Sequence, residues 1–256
     1  MLGKVRKFHN IHKGDSCYVF GDGISIKSMD LSLFDDKVAI ASNYLPLHKE
    51  FGKLDCRYCV VAAPYFFSHF FGYESIQRRH MNGMSALYRE LIANNPDKNF
   101  FFNLSNYPFI GGDNLFYMFK DIPDDRLPAD YISKRISCFS GVIHMSILLS
   151  IYLGFEHIYL VGFDYTHVPS RNWHWYEKGK GIFRPHEHEN YNKDFFAIAK
   201  EFIDITTITL DGTSNFINAV TYKEHIGCEP VYRENTELID ERCLKALATW
   251  PSYTIY

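Results

Sequence analysis

Apolar and polar positions along the chain fall into blocks of two periods. Cys17 to Phe20, Lys37 to Ala41 and Arg57 to Ala63 are short apolar runs, each the length of a buried strand, and the first ends in glycines. Gly83 to Asn94 carries apolar residues at helical spacing (Met84, Leu87, Leu91), and Asn95-Pro96 stops it before the apolar run Phe100 to Leu104. The clearest unit opens at Ser140 and Gly141, continues through Ile143, Ile147, Leu148, Ile151 and Tyr152, and closes at Gly154, with the strand Ile158 to Val161 following at once. This alternation predicts β-α-β units, an α/β fold with a mainly parallel, Rossmann-like sheet flanked by helices. It also sets Gly162-Phe163-Asp164 on the same sheet edge as the first glycine turn. From Tyr165 to Asn192 the periodicity dissolves into Trp173, Trp175, Tyr176, four histidines and basic residues around Gly179 and Gly181. An aperiodic stretch of that length predicts an aromatic and histidine-rich lid, inserted at about 165–192. Asp194 to Ile203 reads as a helix and Thr206 to Leu210 as the last strand.

No linker divides the 256 residues, so a single domain over 1–256 is expected. At 46% hydrophobic and 22% charged residues the chain is globular in composition, and 17% aromatics predict an aromatic core. A net charge of −3 without a basic face argues against a nucleic-acid partner. Lys4, Arg6 and Lys7 near the start precede no apolar run, so neither a secretory signal nor a membrane span is read there, and a cytoplasmic chain is expected. Cys56 and Cys59 have C-x-x-C spacing but sit in a predicted strand with no second pair at zinc distance. The six cysteines therefore read as buried thiols, with no metal site.

Three places carry candidate chemistry. Gly21-Asp22-Gly23-Ile24-Ser25 follows the first strand, where glycines let the backbone approach a ligand and free amides attract phosphate. The third glycine of the dinucleotide fingerprint is missing, and Ser42-Asn43 stands where a ribose-binding acid is usual, which demotes a hydride-transfer enzyme; a tight turn without a ligand is the competing explanation. Ser140-Gly141 reads as an ordinary helix cap and, on the same edge as Gly21 and Asp164, as one wall of a crevice. His186 and His188 alternate in an extended segment; a general base and a solvated loop are the two readings. Trp173, Trp175 and Tyr176 fit either stacking on a ligand or packing the lid down as local core.

From about Cys17 to about Ile217 the chain resembles the bacterial sialyltransferases of glycosyltransferase family 42, and more broadly the related domain of motility-associated factors and hydroxymethylpterin diphosphokinases. The resemblance lies in the turn Gly21 to Ile26, in Asn43, in Ser140-Gly141-Val142, and in Leu153 to Leu160 running into Gly162-Phe163-Asp164. It implies a GT-A-like variant of the fold and an inverting transfer from a CMP-activated acidic sugar to a glycan acceptor, with no metal and no cofactor. Gly21, Asp22, Gly23, Ser25, Asn43, Ser140, Gly141, Asp164, Tyr165, Thr166 and Ser214 would bind the substrate. His188 would be the base with His186 as its substitute, and Tyr176 would steady the leaving phosphate. Asp22 replaces the family's usual Asn, Ala62-Ala63-Pro64 stands where the family has a substrate-binding Asn, and Thr166 lies near a family tyrosine. A homo-oligomer, peripheral association with the inner membrane and a role in lipopolysaccharide synthesis are further implications. The alternatives are a magnesium-dependent diphosphokinase-like transferase using Asp22 and Asp164, and a nucleotide-binding module without catalysis.

Overall fold

In a computed structural model, which describes residues 2–68, 75–120, 137–138, 141–166, 170–185 and 189–256, every neighbouring pair of strands in the main sheet runs parallel. Its strands are β1 (Ser16–Phe20), β2 (Val38–Ser42), β3 (Cys56–Val61), β4 (Asn99–Asn103), β5 (Leu115–Lys120), β6 (Ser137–Cys138), β7 (His157–Val161), β10 (Asp204–Thr209) and β11 (Asn218–Thr221). β8 (Ser170–Asn172) and β9 (Ile182–Arg184) pair with each other as a separate antiparallel hairpin. The order across the sheet is β11-β10-β7-β1-β2-β3-β4-β5-β6. The chain steps outward from β1 to β6, then returns to lay β7 on the other side of β1. Loops leaving β1 and β7 at their carboxyl ends therefore head in opposite directions, the arrangement that opens a crevice in parallel sheets.

The helices are α1 (Ser75–Asn94), α2 (Val142–Leu153), α3 (Glu189–Ala199), α4 (Tyr222–Ile226), α5 (Asn235–Leu238) and α6 (Glu241–Leu247). Because side chains alternate along a strand, each strand feeds two core layers. Cys17, Val19, Ile40, Val60, Phe101 and Leu160 face α2 and the Phe195-Phe196 pair of α3. Tyr18, Phe20, Ala41, Cys59, Phe100 and Phe102 face Met84 and Tyr88 of α1 and Leu244 and Leu247 of α6. α2 is buried from Ile143 to Leu153, which is why it is apolar all round. Its two serines are bonded inward: Ser146 meets Ser42 at 3.1 Å, and Ser150 donates to the Ser146 carbonyl at 2.9 Å. Gly154 ends it at φ +91°, as its sequence position predicts.

Several expectations shift. The N-cap of α2 is Gly141, with no side chain capping it. α1 starts at Ser75, so Gly83 lies inside it; a side chain there would meet Ala246 of α6 at 3.7 Å. α3 ends at Ala199, earlier than the sequence pattern suggests. β10 is not the last strand, because β11 extends the edge; its half-exposed residues show no alternation to read. Cys17, Cys56 and Cys59 are buried, and burial pushes the Cys17 and Cys59 thiols up in pKa, but Cys228 is exposed, against the expectation of buried thiols. Among the described residues no helix is long and apolar enough to cross a membrane.

The loops after β1 and β7 touch backbone to backbone. Gly21 N–H donates to the Val161 carbonyl at 2.8 Å and Gly23 N–H to the Gly162 carbonyl at 2.7 Å. Gly162 sits at φ +71°, and a Cβ on it would come within 2.6 Å of Ile26. Gly162→Ala combines left-handed strain with overpacking and is expected to cost roughly 2–5 kcal/mol, which thermal denaturation would read as a drop of roughly 5–15 °C. Gly111→Ala, with open space around it, should leave the midpoint unchanged.

Candidate functional site

The first glycine turn is shaped by its neighbour loop. A Cβ on Gly21 would lie 2.5 Å from the Gly162 carbonyl, and one on Gly23 would lie 2.6 Å from the carboxyl carbon of Asp164. Ser25 donates to Asp164 twice, from its backbone N–H at 2.8 Å and from Oγ at 2.5 Å. Gly21, Gly23, Ser25 and Asp164 thus converge, and packing between the two loops accounts for both glycines. Asp22 turns another way: its carboxylate accepts from Tyr44 N–H and Trp175 Nε1, both at 3.2 Å.

Above this junction lies a cleft of about 520 Å³ lined by Asp22, Asn43, Asp164, Tyr165, Arg171 and Arg184, among others. A chamber of about 320 Å³ adjoins it, walled by Tyr44, Ala62, Ala63, Pro64, Phe66 and Tyr176. Asp22, Asn43, Val142, His174 and Tyr253 line both. Val142 is the first helical residue of α2, so the uncapped, positive end of that helix faces the cleft. Asn43 and Trp173 hold left-handed backbone at φ +41° and +85°. Non-glycine residues rarely adopt this conformation outside sites that the surrounding fold constrains.

The predicted lid contains order of its own. Trp175 and Tyr176 are buried and join the aromatic core, the local-core alternative, whereas Trp173 lines the main chamber. His174 pairs with Gly23 as an isolated antiparallel bridge, and its ring stacks on Tyr176 at 4.9 Å and 5°. Glu177, 2% exposed, accepts from His174 Nδ1 at 2.8 Å and from His174 N–H at 2.9 Å, and from Thr254 N–H at 3.0 Å. Burial raises the Glu177 pKa, but these bonds outweigh it and hold the carboxyl below its usual range. The buried Lys27 ammonium clamps the same turn, donating to the Glu177 carbonyl at 2.7 Å and the Gly179 carbonyl at 2.9 Å. The segment after residue 218, unread from sequence, supplies the opposite wall: Tyr253 packs edge-on against His174 and Tyr176.

Of the residues proposed from sequence, Gly23, Asp22, Asn43, Asp164 and Tyr165 line the main chamber, and Tyr176 lines the smaller one. Gly21 and Ser25 lie in the loop junction beneath, and Gly141 precedes Val142 at the cleft. Thr166 and Ser214 meet each other, Ser214 Oγ donating to the Thr166 carbonyl at 3.1 Å, and neither lines the cleft. Ser140, His186 and His188 lie outside the described residues. The sequence reading passed over Arg171, His174, Glu177 and Tyr253; the one available signal was the His174-x-x-Glu177 spacing.

No family model matches the chain, and no curated protein matches it. Among solved structures, the sialyltransferase CstII from Campylobacter jejuni with CMP-3FNeuAc is 13% identical over 92% of this chain and 99% of that one, with a TM-score of 0.49. The same enzyme with cytidine-5'-monophosphate is 14% identical over 81% of this chain and 85% of that one, at a TM-score of 0.47. The monofunctional α-2,3-sialyltransferase Cst-I from Campylobacter jejuni is 15% identical over 81% and 82%, at 0.45. What the site can do follows from its own residues.

Asp22 gives the site a pH signature. Burial pushes its pKa up to about 6, against the opposing effects of the His174 imidazole and the bonds from Tyr44 and Trp175. The folded state therefore holds this proton more tightly than the unfolded chain does. Stability falls as pH rises from about 4 to about 6, by at most about 3 kcal/mol, and stays lowered above that. Asp22→Asn should flatten this component, read as a smaller stability difference between melts at about pH 4.5 and pH 7.5; equal differences in the two proteins would contradict the assignment.

Proposed function

We propose that this chain is a glycosyltransferase that takes a CMP-activated acidic sugar, sialic acid-like, and transfers it with inversion to a glycan hydroxyl without a metal ion. The observation that carries this reading is the pairing of two sources of positive charge along one cleft at the sheet's carboxyl edge: the N-terminal end of α2, whose N-cap Gly141 has no side chain, and Arg171 and Arg184, which line it, Arg171 Nε donating to the Lys180 carbonyl at 2.9 Å. A CMP-activated sialic acid carries two anionic groups on its anomeric carbon, a phosphate and a carboxylate. Helix-end amides meet phosphate well, and guanidinium groups meet carboxylate or phosphate in a fork. The departing monophosphate needs no metal when such donors meet its developing charge.

The acids around the cleft point away from a magnesium-dependent phosphoryl transfer. The two carboxylates such a transfer would use are each engaged by protein donors, Asp164 by Ser25 and Asp22 by Tyr44 and Trp175. On this reading the flat cytosine and the acceptor share the remaining space with the aromatic chamber. The acceptor proton passes to a histidine of the lid, where the sequence resemblance assigns His188, with His186 beside it, and Tyr176 to the leaving phosphate. The acceptor is a cell-surface glycan, lipopolysaccharide in kind. The enzyme works as a homo-oligomeric single-domain protein in the bacterial cytoplasm, peripheral to the inner membrane.

Ligand-induced stabilisation tests the donor class: CMP and CTP should raise the melting temperature, while ATP, NAD and UDP should not. Hydrolysis of CMP-sialic acid should survive chelation; its loss on chelation would overturn the metal-independent mechanism. Arg171→Ala and Arg184→Ala should each raise KM for the donor by about 10- to 100-fold.

A further inference from the structure

A carboxylate–imidazole pair stands where the two chambers meet. His174 lines both chambers, and its side chain is 41% exposed while Glu177 beside it is buried. Glu177, ionised, can only accept, so the bond at 2.8 Å requires the proton on His174 Nδ1. In the neutral ring that fixes the tautomer and leaves the lone pair on Nε2, without a protein partner among the described residues, on the partly exposed side chain of a residue that lines both chambers. The ring cannot easily leave this position, because it lies flat on Tyr176, meets Tyr253 at 71° and belongs to the segment bridged to Gly23.

We propose that His174, in place of the His188 to which the sequence resemblance gives this role, is the general base of the transfer and that Glu177 is its positioning residue. The inference rests on the glycosyltransferase reading and deepens it. Two chambers meeting at one imidazole suit a reaction between two substrates: the donor's anionic end in the arginine-lined chamber, the acceptor hydroxyl reaching in from the aromatic one. The hydroxyl oxygen forms a bond to the anomeric carbon as the bond from that carbon to the phosphate oxygen breaks, and the electron pair leaves with CMP. The hydroxyl proton passes to His174 Nε2. Glu177 stabilises the imidazolium until the proton goes to solvent, as a buried carboxylate behind a catalytic imidazole does. Among the described residues the titratable and charged groups around the ring are Glu177, Asp22, Tyr176 and Tyr253, with Asp164, Arg171 and Arg184 lining the main chamber.

The test uses the full chain and CMP-sialic acid, with water as the acceptor. His174→Gln should lower kcat by about 10²- to 10⁴-fold while CMP still raises the melting temperature, which shows that the fold and the donor site persist. In His174→Ala, added imidazole should restore part of the rate. Glu177→Gln should lower kcat at least about tenfold with KM unchanged, a split that loss of structure would not give. An active wild type whose His174→Gln variant keeps its kcat, or in which only His188→Ala abolishes turnover, overturns this inference and leaves the glycosyltransferase reading standing. A wild type that is inert and that CMP does not stabilise overturns both.

Discussion

The backbone contact between the loops leaving β1 and β7 is the constraint on which the rest of the molecule depends. Two N–H groups of the first loop close on carbonyls at the end of the second, and Ser25 then bonds both oxygens of Asp164. Side chains at Gly21, Gly23 or Gly162 would prise the loops apart. Once closed, the junction seals the gap between the diverging loops and becomes the floor of the cleft. A buried carboxylate is costly unless it is bonded, and here each bond also positions a wall: Asp164 fixes the first turn, while Asp22 ties that turn to Tyr44 and Trp175.

The segment Gly23 to Lys27 holds the two sides of the site together. Ser25 reaches the β7 loop, and two residues later Lys27, fully buried, reaches the carbonyls of the turn that carries His174 and Glu177. A buried lysine pays for its desolvation only if its donors are met, and two carbonyls, the Tyr232 hydroxyl and the Glu234 carboxylate meet them. The aromatic surplus of the composition is placed here too. Trp175, Tyr176 and Tyr44 build one continuous wall from core to cleft.

Much of this fold is legible in the sequence because buried parallel strands leave uninterrupted apolar runs, and Gly154 marks a helix end that no other residue type marks so well. β1, β2, β3, β4 and β7 read cleanly for that reason. β11 does not, since an edge strand with half-exposed residues shows neither an apolar run nor alternation. The carboxyl-edge location of Asp22, Asn43 and Asp164 follows from topology and was likewise readable. The His174–Glu177 pair was not: its meaning depends on burial of the glutamate and on a stacked ring, and a spacing of three residues in an aperiodic segment specifies neither. For the same reason the glycines of the first turn looked like ligand contacts, when the partner they make room for is a carbonyl 141 residues away in the chain for Gly21 and 139 for Gly23.

The wall formed by Tyr253 and Thr254 also bears on how firmly the turn carrying His174 is held. Glu177 receives one of its three N–H bonds from Thr254, and Lys178 N–H returns a bond to the Thr254 carbonyl at 2.7 Å. Removing Ser252 to Tyr256 would take away the Thr254 donor and the Tyr253 ring while the Lys27 clamp and the bridge to Gly23 stayed, so this segment sets the stiffness of the His174 ring and not its place beside Gly23.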